Sequence, residues 1–169
     1  MMNLLFETKR LIVRKLVIDD LTPFHEMQGN INVMRFVRGK AMTFDEDKKD
    51  LQELIEFYDK KDNDFWIYAV ERKIENKFVG TIAFVKDSNN DDEIGYRFLE
   101  KYWGNGYGTE IVEGMIEYCK KNGFKKLVAC VANDNIASDK IIKKAGFQFV
   151  ESFVSDDLKI PEQKYILNL

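Results

Sequence analysis

The sequence predicts an α+β protein with a mostly antiparallel sheet. The chain has 169 residues, 45% of them hydrophobic, which is enough to bury one core without disulfides or metals. Strand-like segments rich in β-branched and aromatic residues recur along the chain, and helical patterns with recognisable caps lie between them. No repeat, low-complexity segment or linker divides the sequence, so residues 1–169 are expected to form a single domain.

The first predicted elements are one strand and two short helices. The segment "RLIVRKLV" at 10–17 is rich in β-branched residues and predicts a strand. Thr22 can cap a helix that has Pro23 at its first position. A Gly-Asn pair at 29–30 interrupts this helix before "INVMRFV" at 31–37 resumes the pattern, which indicates a bend.

A longer helix and a hairpin follow. Thr43 and Glu46 form a capping box, and apolar residues recur at helical spacing from Leu51 to Tyr58. Strands are indicated at 65–72 and 77–86, and the short polar segment "KIEN" between them predicts an antiparallel hairpin.

The second half of the chain adds two helices and four strands. An apolar stripe from Ile111 to Cys119 predicts a helix that ends at Gly123. Asn135 can cap another helix, which Gly146 ends. Strand composition is found at 92–99, 125–132, 147–154 and 163–169.

Composition and charge disfavour several classes of function. The net charge of -3 provides no global attraction to nucleic acid or to an anionic membrane. The first ten residues lack the apolar run of a signal peptide or a membrane span. Cys119 and Cys130 form no CxxC pair, and His25 is the single histidine, so no metal site is expected. We therefore expect a reduced, cytoplasmic protein.

Three glycines stand just before a predicted helix, at Gly104, Gly106 and Gly108. A helix start exposes free backbone N–H groups, and glycine lets an anion approach them, so the segment favours a phosphate site. A plain turn is the alternative interpretation. Thr109 and Glu110 follow the last glycine, which disfavours the P-loop and the dinucleotide-binding pattern.

The sequence resembles the GNAT superfamily of acetyl-CoA-dependent N-acetyltransferases, in particular its ribosomal-protein N-terminal acetyltransferase branch. Two segments carry the resemblance, "EIGYRFLEKYWGNGYGTE" at 93–110 and "NDNIASDKIIKKAGF" at 133–147. The superfamily motif is Arg or Gln, two residues, Gly, one residue, then Gly or Ala. Gly106 and Gly108 match it, whereas Trp103 occupies the first position, as is usual in this branch.

The resemblance implies a strongly twisted sheet flanked by helices, in which the fourth and fifth strands splay apart to admit acetyl-CoA as co-substrate. Backbone groups around Phe98 and Leu99 would pair with the pantetheine arm. The Asn135 amide would bind the same arm, with helix capping as an alternative or additional role. The pyrophosphate would lie on the loop formed by Gly104, Asn105, Gly106, Tyr107, Gly108 and Thr109.

Two residues are implied as catalytic. Glu93 matches an acidic position of the branch and would act as the base through water, although a surface glutamate is the alternative. Many members use a tyrosine as acid, but Ile142 stands at that position here. Ser138 matches a serine of the branch and would donate a hydrogen bond to the departing thiolate, with an ordinary helix serine as the alternative.

The predicted reaction is direct attack of an amine on acetyl-CoA in a ternary complex. Forming the neutral amine at pH 7 costs about 4.6 kcal/mol for a lysine but about 1.2 kcal/mol for an α-amine, which favours a protein or peptide N-terminus. A small-molecule acceptor (polyamine, amino acid or aminoglycoside) and a non-catalytic acetyl-CoA sensor remain alternatives. Candidates to line the acceptor pocket are Phe36, Arg38, Trp66 and Tyr96. The protein is expected to be a monomer or homodimer with no nucleic-acid or membrane partner.

Overall fold

The computed structural model describes residues 4–169. Within this range, the strands β1 to β8 are Leu4–Glu7, Leu11–Lys15, Phe65–Arg72, Lys77–Lys86, Asp92–Phe98, Lys126–Ala132, Gln148–Val154 and Pro161–Asn168. The helices α1 to α5 are Leu21–Gln28, Ile31–Met34, Phe44–Glu56, Tyr107–Lys121 and Ile136–Lys144. Short 3-10 turns occupy Ile18–Asp20, Phe57–Asp59 and Glu100–Tyr102. No helix in this range is long and apolar enough to cross a membrane.

All eight strands belong to one sheet with the order β1-β2-β3-β4-β5-β6-β8-β7. Each neighbouring pair is antiparallel except β5 and β6, which are parallel. The predicted α+β class with a mostly antiparallel sheet is therefore confirmed. Strands β5 and β6, the fourth and fifth predicted strands, pair at one position only, Glu93 with Val128. In contrast, β5 pairs with β4 along its whole length.

The two faces of the sheet cover separate cores, because successive side chains of a strand point to opposite faces. Helices α4 and α5 cover one face, where Ile111, Met115 and Ile142 pack against the strands. Helices α1, α2 and α3 cover the other face through residues such as Phe24 and Leu51. We refer to the face under α4 as the α4 side and to the face under α2 as the α2 side.

Several local predictions are confirmed. The hairpin strands β3 and β4 have the predicted bounds, and they pair antiparallel with a bulge between Val70 and Glu71. The capping box at the start of α3 is formed: the Glu46 amide donates to Thr43 Oγ1 at 3.3 Å and the Thr43 amide donates to Glu46 Oε2 at 2.8 Å. Gly123 and Gly146 follow α4 and α5 with φ values of +81° and +95°, as helix-ending glycines do.

The start of the chain differs from the prediction. Strand β1 was not predicted, because four residues at a sheet edge are too short to show a pattern. Thr22 does not cap α1, since the helix begins at Leu21 with Asp20 as the N-cap residue. Pro23 is thus the third helical residue, still within the first turn, where the missing N–H is tolerated. The second helix ends at Met34 and gives way to turns.

Candidate functional site

A cavity lies where β5 and β6 part. Its volume is about 860 Å³, and residues of β5, β6, the α4 start, the α5 start and the segment after α2 line it. Because the two strands pair only at Glu93 and Val128, the edge of β5 from Ile94 to Phe98 has no strand partner. The cavity thus exposes unpaired backbone along one wall, which suits an extended ligand that carries amide groups.

The loop before α4 has the backbone conformation that its glycines permit. Gly104 and Gly106 have φ values of +75° and +77°, a region that other residues rarely adopt. Gly106 is the N-cap residue of α4, and no side chain caps the helix there. The first intrahelical bond joins the Glu110 amide to the Gly106 carbonyl at 3.1 Å. The amides of the preceding first-turn residues are therefore available to an anion.

Gly108, in the first turn of α4, lies close to side chains of α5 and β5. A Cβ atom on Gly108 would lie 2.8 Å from Cδ1 of Ile141 and 3.4 Å from Cε2 of Tyr96. A side chain here would thus press on both α5 and β5. The absence of one lets the first turn of α4 pack closely against both elements.

Polar contacts from the β1–β2 turn hold the loop in place. Arg10 donates from Nη1 to the Asn105 carbonyl at 2.9 Å and from Nε to Glu110 Oε2 at 2.6 Å. Glu110 also accepts from Thr8 Oγ1 at 2.6 Å and from the Arg10 amide at 2.7 Å. The loop is therefore anchored by residues about a hundred positions away, which the sequence alone did not reveal.

Trp103, the residue that departs from the superfamily motif, also has a structural role. Its Nε1 donates to the Phe98 carbonyl at 2.9 Å. This bond ties the loop to the end of β5. The indole therefore stabilises the loop at the position where Arg or Gln is usual.

Strand β5 presents different residues to the two sides of the cavity. Tyr96 and Phe98 point to the α4 side, where the Tyr96 hydroxyl reaches Ser138 and the Phe98 ring lies 6.1 Å from the Tyr107 ring. Glu93 and Arg97 have the opposite parity and point to the α2 side, where Arg97 contacts Met34. One strand thus supplies both walls of a two-sided cavity.

On the α4 side, three polar side chains form a connected group. Asn135 Oδ1 accepts from the Ser138 amide at 3.2 Å, which caps α5 as predicted. Ser138 Oγ accepts from the Tyr96 hydroxyl at 3.2 Å, so the serine keeps its own proton free to donate. Burial raises the pKa of Tyr96, and its hydroxyl therefore remains protonated at neutral pH.

On the α2 side, Glu93 is a partly buried carboxyl in the cavity wall. Burial raises its pKa, and the negative charges of Asp87 and Glu162 raise it further, while Lys164 and the Cys130 thiol act in the opposite direction. A carboxylate with a raised pKa is a stronger base than an exposed one. Its location and its pKa both suit proton abstraction.

The structure brings most of the predicted site residues together around the cavity. Those that line it are Glu93, Phe98, Gly104, Gly106, Tyr107, Gly108, Thr109, Asn135 and Ser138. Leu99 does not, because its side chain is buried in the core on the α2 side and its amide donates to Val79 O at 2.9 Å. Asn105 lies outside the lining, where its side chain donates to the carbonyls of Tyr102 and Trp103.

Two of the four candidates for the acceptor pocket lie outside the lining of the cavity. Phe36 and Tyr96 line the cavity as expected. Trp66 instead stacks near Tyr68 on the α4 side, outside the lining. Arg38 forms an ion pair with Asp50 outside the lining. Arg97 was not predicted as a site residue, but it lines the cavity on the α2 side. Its position on β5, four residues after Glu93 and therefore on the same face of the sheet, could have identified it from the sequence.

The site fits the coenzyme A group that the resemblance implies. The uncapped α4 start offers backbone donors for a pyrophosphate, and the unpaired β5 edge runs from there toward Ser138 and Glu93. Between residues 4 and 169, no group of three or more His, Cys, Asp or Glu side chains is placed to hold a metal ion.

Comparison with known proteins agrees with this geometry. Residues 10–148 match the family described as the acetyltransferase (GNAT) domain. The uncharacterized N-acetyltransferase YoaA of Bacillus subtilis (strain 168) is 28% identical over 85% of this chain and 82% of its own length.

Solved structures of low identity share the fold. The ribosomal α-N-protein acetyltransferase RimL in complex with coenzyme A superposes with a TM-score of 0.82 at 15% identity, over 98% of each chain. The spermidine N-acetyltransferase from Vibrio cholerae, in complex with CoA and spermine, has a TM-score of 0.78 at 17% identity, over 94% of this chain and 95% of its own.

Proposed function

Because the chain belongs to the GNAT acetyltransferase family, we propose that it transfers an acetyl group from acetyl-CoA to the α-amine of a protein or peptide. The observation that carries this proposal is the cavity between β5 and β6, which has a helix start with uncapped amides at one end and a partly buried carboxyl on the other wall. Attack is direct, within a ternary complex.

Acetyl-CoA would supply the acyl group as a reactive thioester. The first-turn amides of Tyr107, Gly108 and Thr109 would hold its pyrophosphate, and the Gly104–Gly106 turn leaves space for it. The unpaired edge of β5 would bond the amides of the pantetheine arm, and the Asn135 side chain would contribute to the same binding. Leu99 and Asn105 would support the loop and strand from outside the cavity.

Glu93 would deprotonate the acceptor. An α-amine requires about 1.2 kcal/mol to become neutral at pH 7, compared with about 4.6 kcal/mol for a lysine side chain. A carboxylate whose pKa is raised by burial, acting directly or through water, is matched to the smaller cost. This argument favours an α-amine over a lysine.

Ser138 would act at the leaving thiolate. Its Oγ accepts from Tyr96 and therefore directs its own hydroxyl proton elsewhere in the cavity. A hydrogen bond to the sulfur would strengthen as negative charge develops there. This hydrogen bond would take the place of the tyrosine acid that many family members have at the position of Ile142.

A small cationic amine is the second candidate acceptor. Four carboxylates and two arginines line the cavity, and this excess of negative charge favours a positively charged guest. The carboxylates belong to Glu93, Asp134, Asp157 and Glu162. The similar fold of a spermidine N-acetyltransferase is consistent with this alternative. Both candidates are amines: the first is the N-terminus of a protein or peptide, and the second belongs to a small molecule.

Mass spectrometry on one peptide that carries a free N-terminus and an internal lysine tests the proposal. We expect acetylation at the N-terminus, and none when the same peptide has a blocked N-terminus. Acetylation confined to lysine in both peptides would contradict the α-amine preference. Acetylation of spermidine or an amino sugar, with both peptides unmodified, would replace the proposal by the small-molecule alternative.

A further inference from the structure

Arg97 is a guanidinium in the cavity wall without a carboxylate partner. Its Nε donates to Thr81 Oγ1 at 3.1 Å, and its Nη1 lies 3.5 Å from the sulfur of Met34. Among the described residues, no carboxylate is within ion-pair distance of it. Arginine has five N–H donors, so most of its capacity remains unused.

The nearby negative charges are already engaged. Asp50 is paired with Arg38 at 3.0 Å, and Asp47 accepts from Gln28 at 2.6 Å. These two carboxylates act on Arg97 only through longer-range attraction, whereas burial lowers its pKa to about 10. A cation that burial disfavours and no anion compensates is costly in a folded protein. A group perturbed in this way in a cleft is a candidate for a functional site.

A shallow trough connects Arg97 with Glu93. Both residues have the same parity on β5, and Gly95 stands between them without a side chain. The registered neighbour of Gly95 on β4 is Ala83, whose Cβ would lie 3.6 Å from a Cβ placed on Gly95. The cavity wall between Glu93 and Arg97 is therefore made of small residues, and a ligand can lie across it.

We propose that Arg97 binds a carboxylate of the acceptor, so that the preferred substrate is an acidic peptide whose α-amine lies at Glu93. The inference rests on the proposed function and refines its substrate class. Arginine is suited to this role because its planar fork matches a carboxylate in a bidentate geometry.

The spacing of the two residues defines where the acidic group should be. Four steps along the strand lead from Glu93 to Arg97, which corresponds to roughly 13 Å between their Cα atoms. Two or three extended peptide residues span roughly 7 to 11 Å and fit within this distance. The carboxylate is therefore expected on the second or third residue of the acceptor.

The experiment compares acetylation of matched hexapeptides that have Asp or Asn at position 3 and contain no lysine. We expect the wild-type enzyme to have a kcat/KM at least tenfold higher for the Asp peptide, a difference of about 1.4 kcal/mol. Arg97→Met should reduce this preference to less than twofold, and Arg97→Lys should retain part of it. Circular dichroism melts establish that the variants are folded.

Arg35→Met is the matched control. Arg35 is an exposed arginine that lines the same cavity, so its loss tests whether general positive charge explains the preference. The preference should survive in this variant. Equal rates on Asp and Asn peptides in the wild type, or an unchanged preference in Arg97→Met, would overturn the inference and leave α-amine transfer intact. Acetylation of spermidine with neither peptide modified would overturn both.

Discussion

Glu93 is the proposed base, and its surroundings disfavour the negative charge that this role requires. Burial and two neighbouring carboxylates raise its pKa, so the fold favours the protonated form. A carboxyl with a raised folded-state pKa contributes most to stability at low pH, and this contribution is lost as the pH rises through the raised value. At pH 7, above the usual pKa of a glutamate, the raised pKa of Glu93 therefore lowers the stability of the protein.

Glu93→Gln should lower kcat/KM by about a hundredfold and raise the melting temperature at pH 7. The gain in stability should disappear toward about pH 3, where the wild-type carboxyl is also neutral. Thermal melts at both pH values and steady-state kinetics measure the two effects. Glu151→Gln, at an exposed position of β7, is the control for the change in net charge. A lower melting temperature for Glu93→Gln at pH 7 would contradict the argument.

Ser138→Ala should lower turnover by about a hundredfold and leave the Kd of acetyl-CoA nearly unchanged, because the lost bond acts on developing charge. Tyr96→Phe removes the hydroxyl that donates to Ser138 and should have a smaller effect. If Tyr96 acts through Ser138, the double variant should turn over no more slowly than Ser138→Ala alone. Additive losses in single-turnover kinetics would show that the two hydroxyls act separately.

At the level of elements, the start of α4 combines glycines in the left-handed backbone region with uncapped amides. Gly106→Val would place a β-branched residue at a φ of +77°, with its Cβ 3.5 Å from Nη2 of Arg10. We expect the Kd of acetyl-CoA to rise at least tenfold, equivalent to about 1.4 kcal/mol, in calorimetric titrations.

Gly123→Val provides the matched control at the other end of the same helix. Gly123 has a φ of +81°, and a Cβ atom at this position would meet no other atom within 4 Å, so the backbone strain is similar. This variant should lose stability but keep its affinity for acetyl-CoA. Equal affinities in both variants would remove the pyrophosphate from the α4 start.

The sequence predicted the elements that depend on contacts between residues close together in the chain. The β3–β4 hairpin and the Thr43 capping box rest on contacts within a few residues, and both were predicted correctly. The Arg10–Glu110 contact joins positions 100 residues apart, and the role of Arg97 depends on which sheet face meets α2. Neither follows from spacing alone, because strand order decides them.

At the scale of the molecule, one sheet separates two cores. Tyr58 and Tyr102 pack against both cores, so neither can open without disturbing the other. We therefore expect residues 1–169 to unfold as a single cooperative unit. Scanning calorimetry should give a van't Hoff enthalpy equal to the calorimetric enthalpy. Two resolved transitions would divide the chain into separate units.

Under the proposed function, the parted strands β5 and β6 would also couple the stability of the protein to the supply of acetyl-CoA. A ligand that bonds to the free edge of β5 stabilises only the folded chain, and at a concentration of about 100 times its Kd it adds about 2.7 kcal/mol. Under the proposed function that ligand is acetyl-CoA. Scarcity of acetyl-CoA would then shorten the lifetime of the enzyme as well as slow its reaction, because proteases degrade the unfolded population.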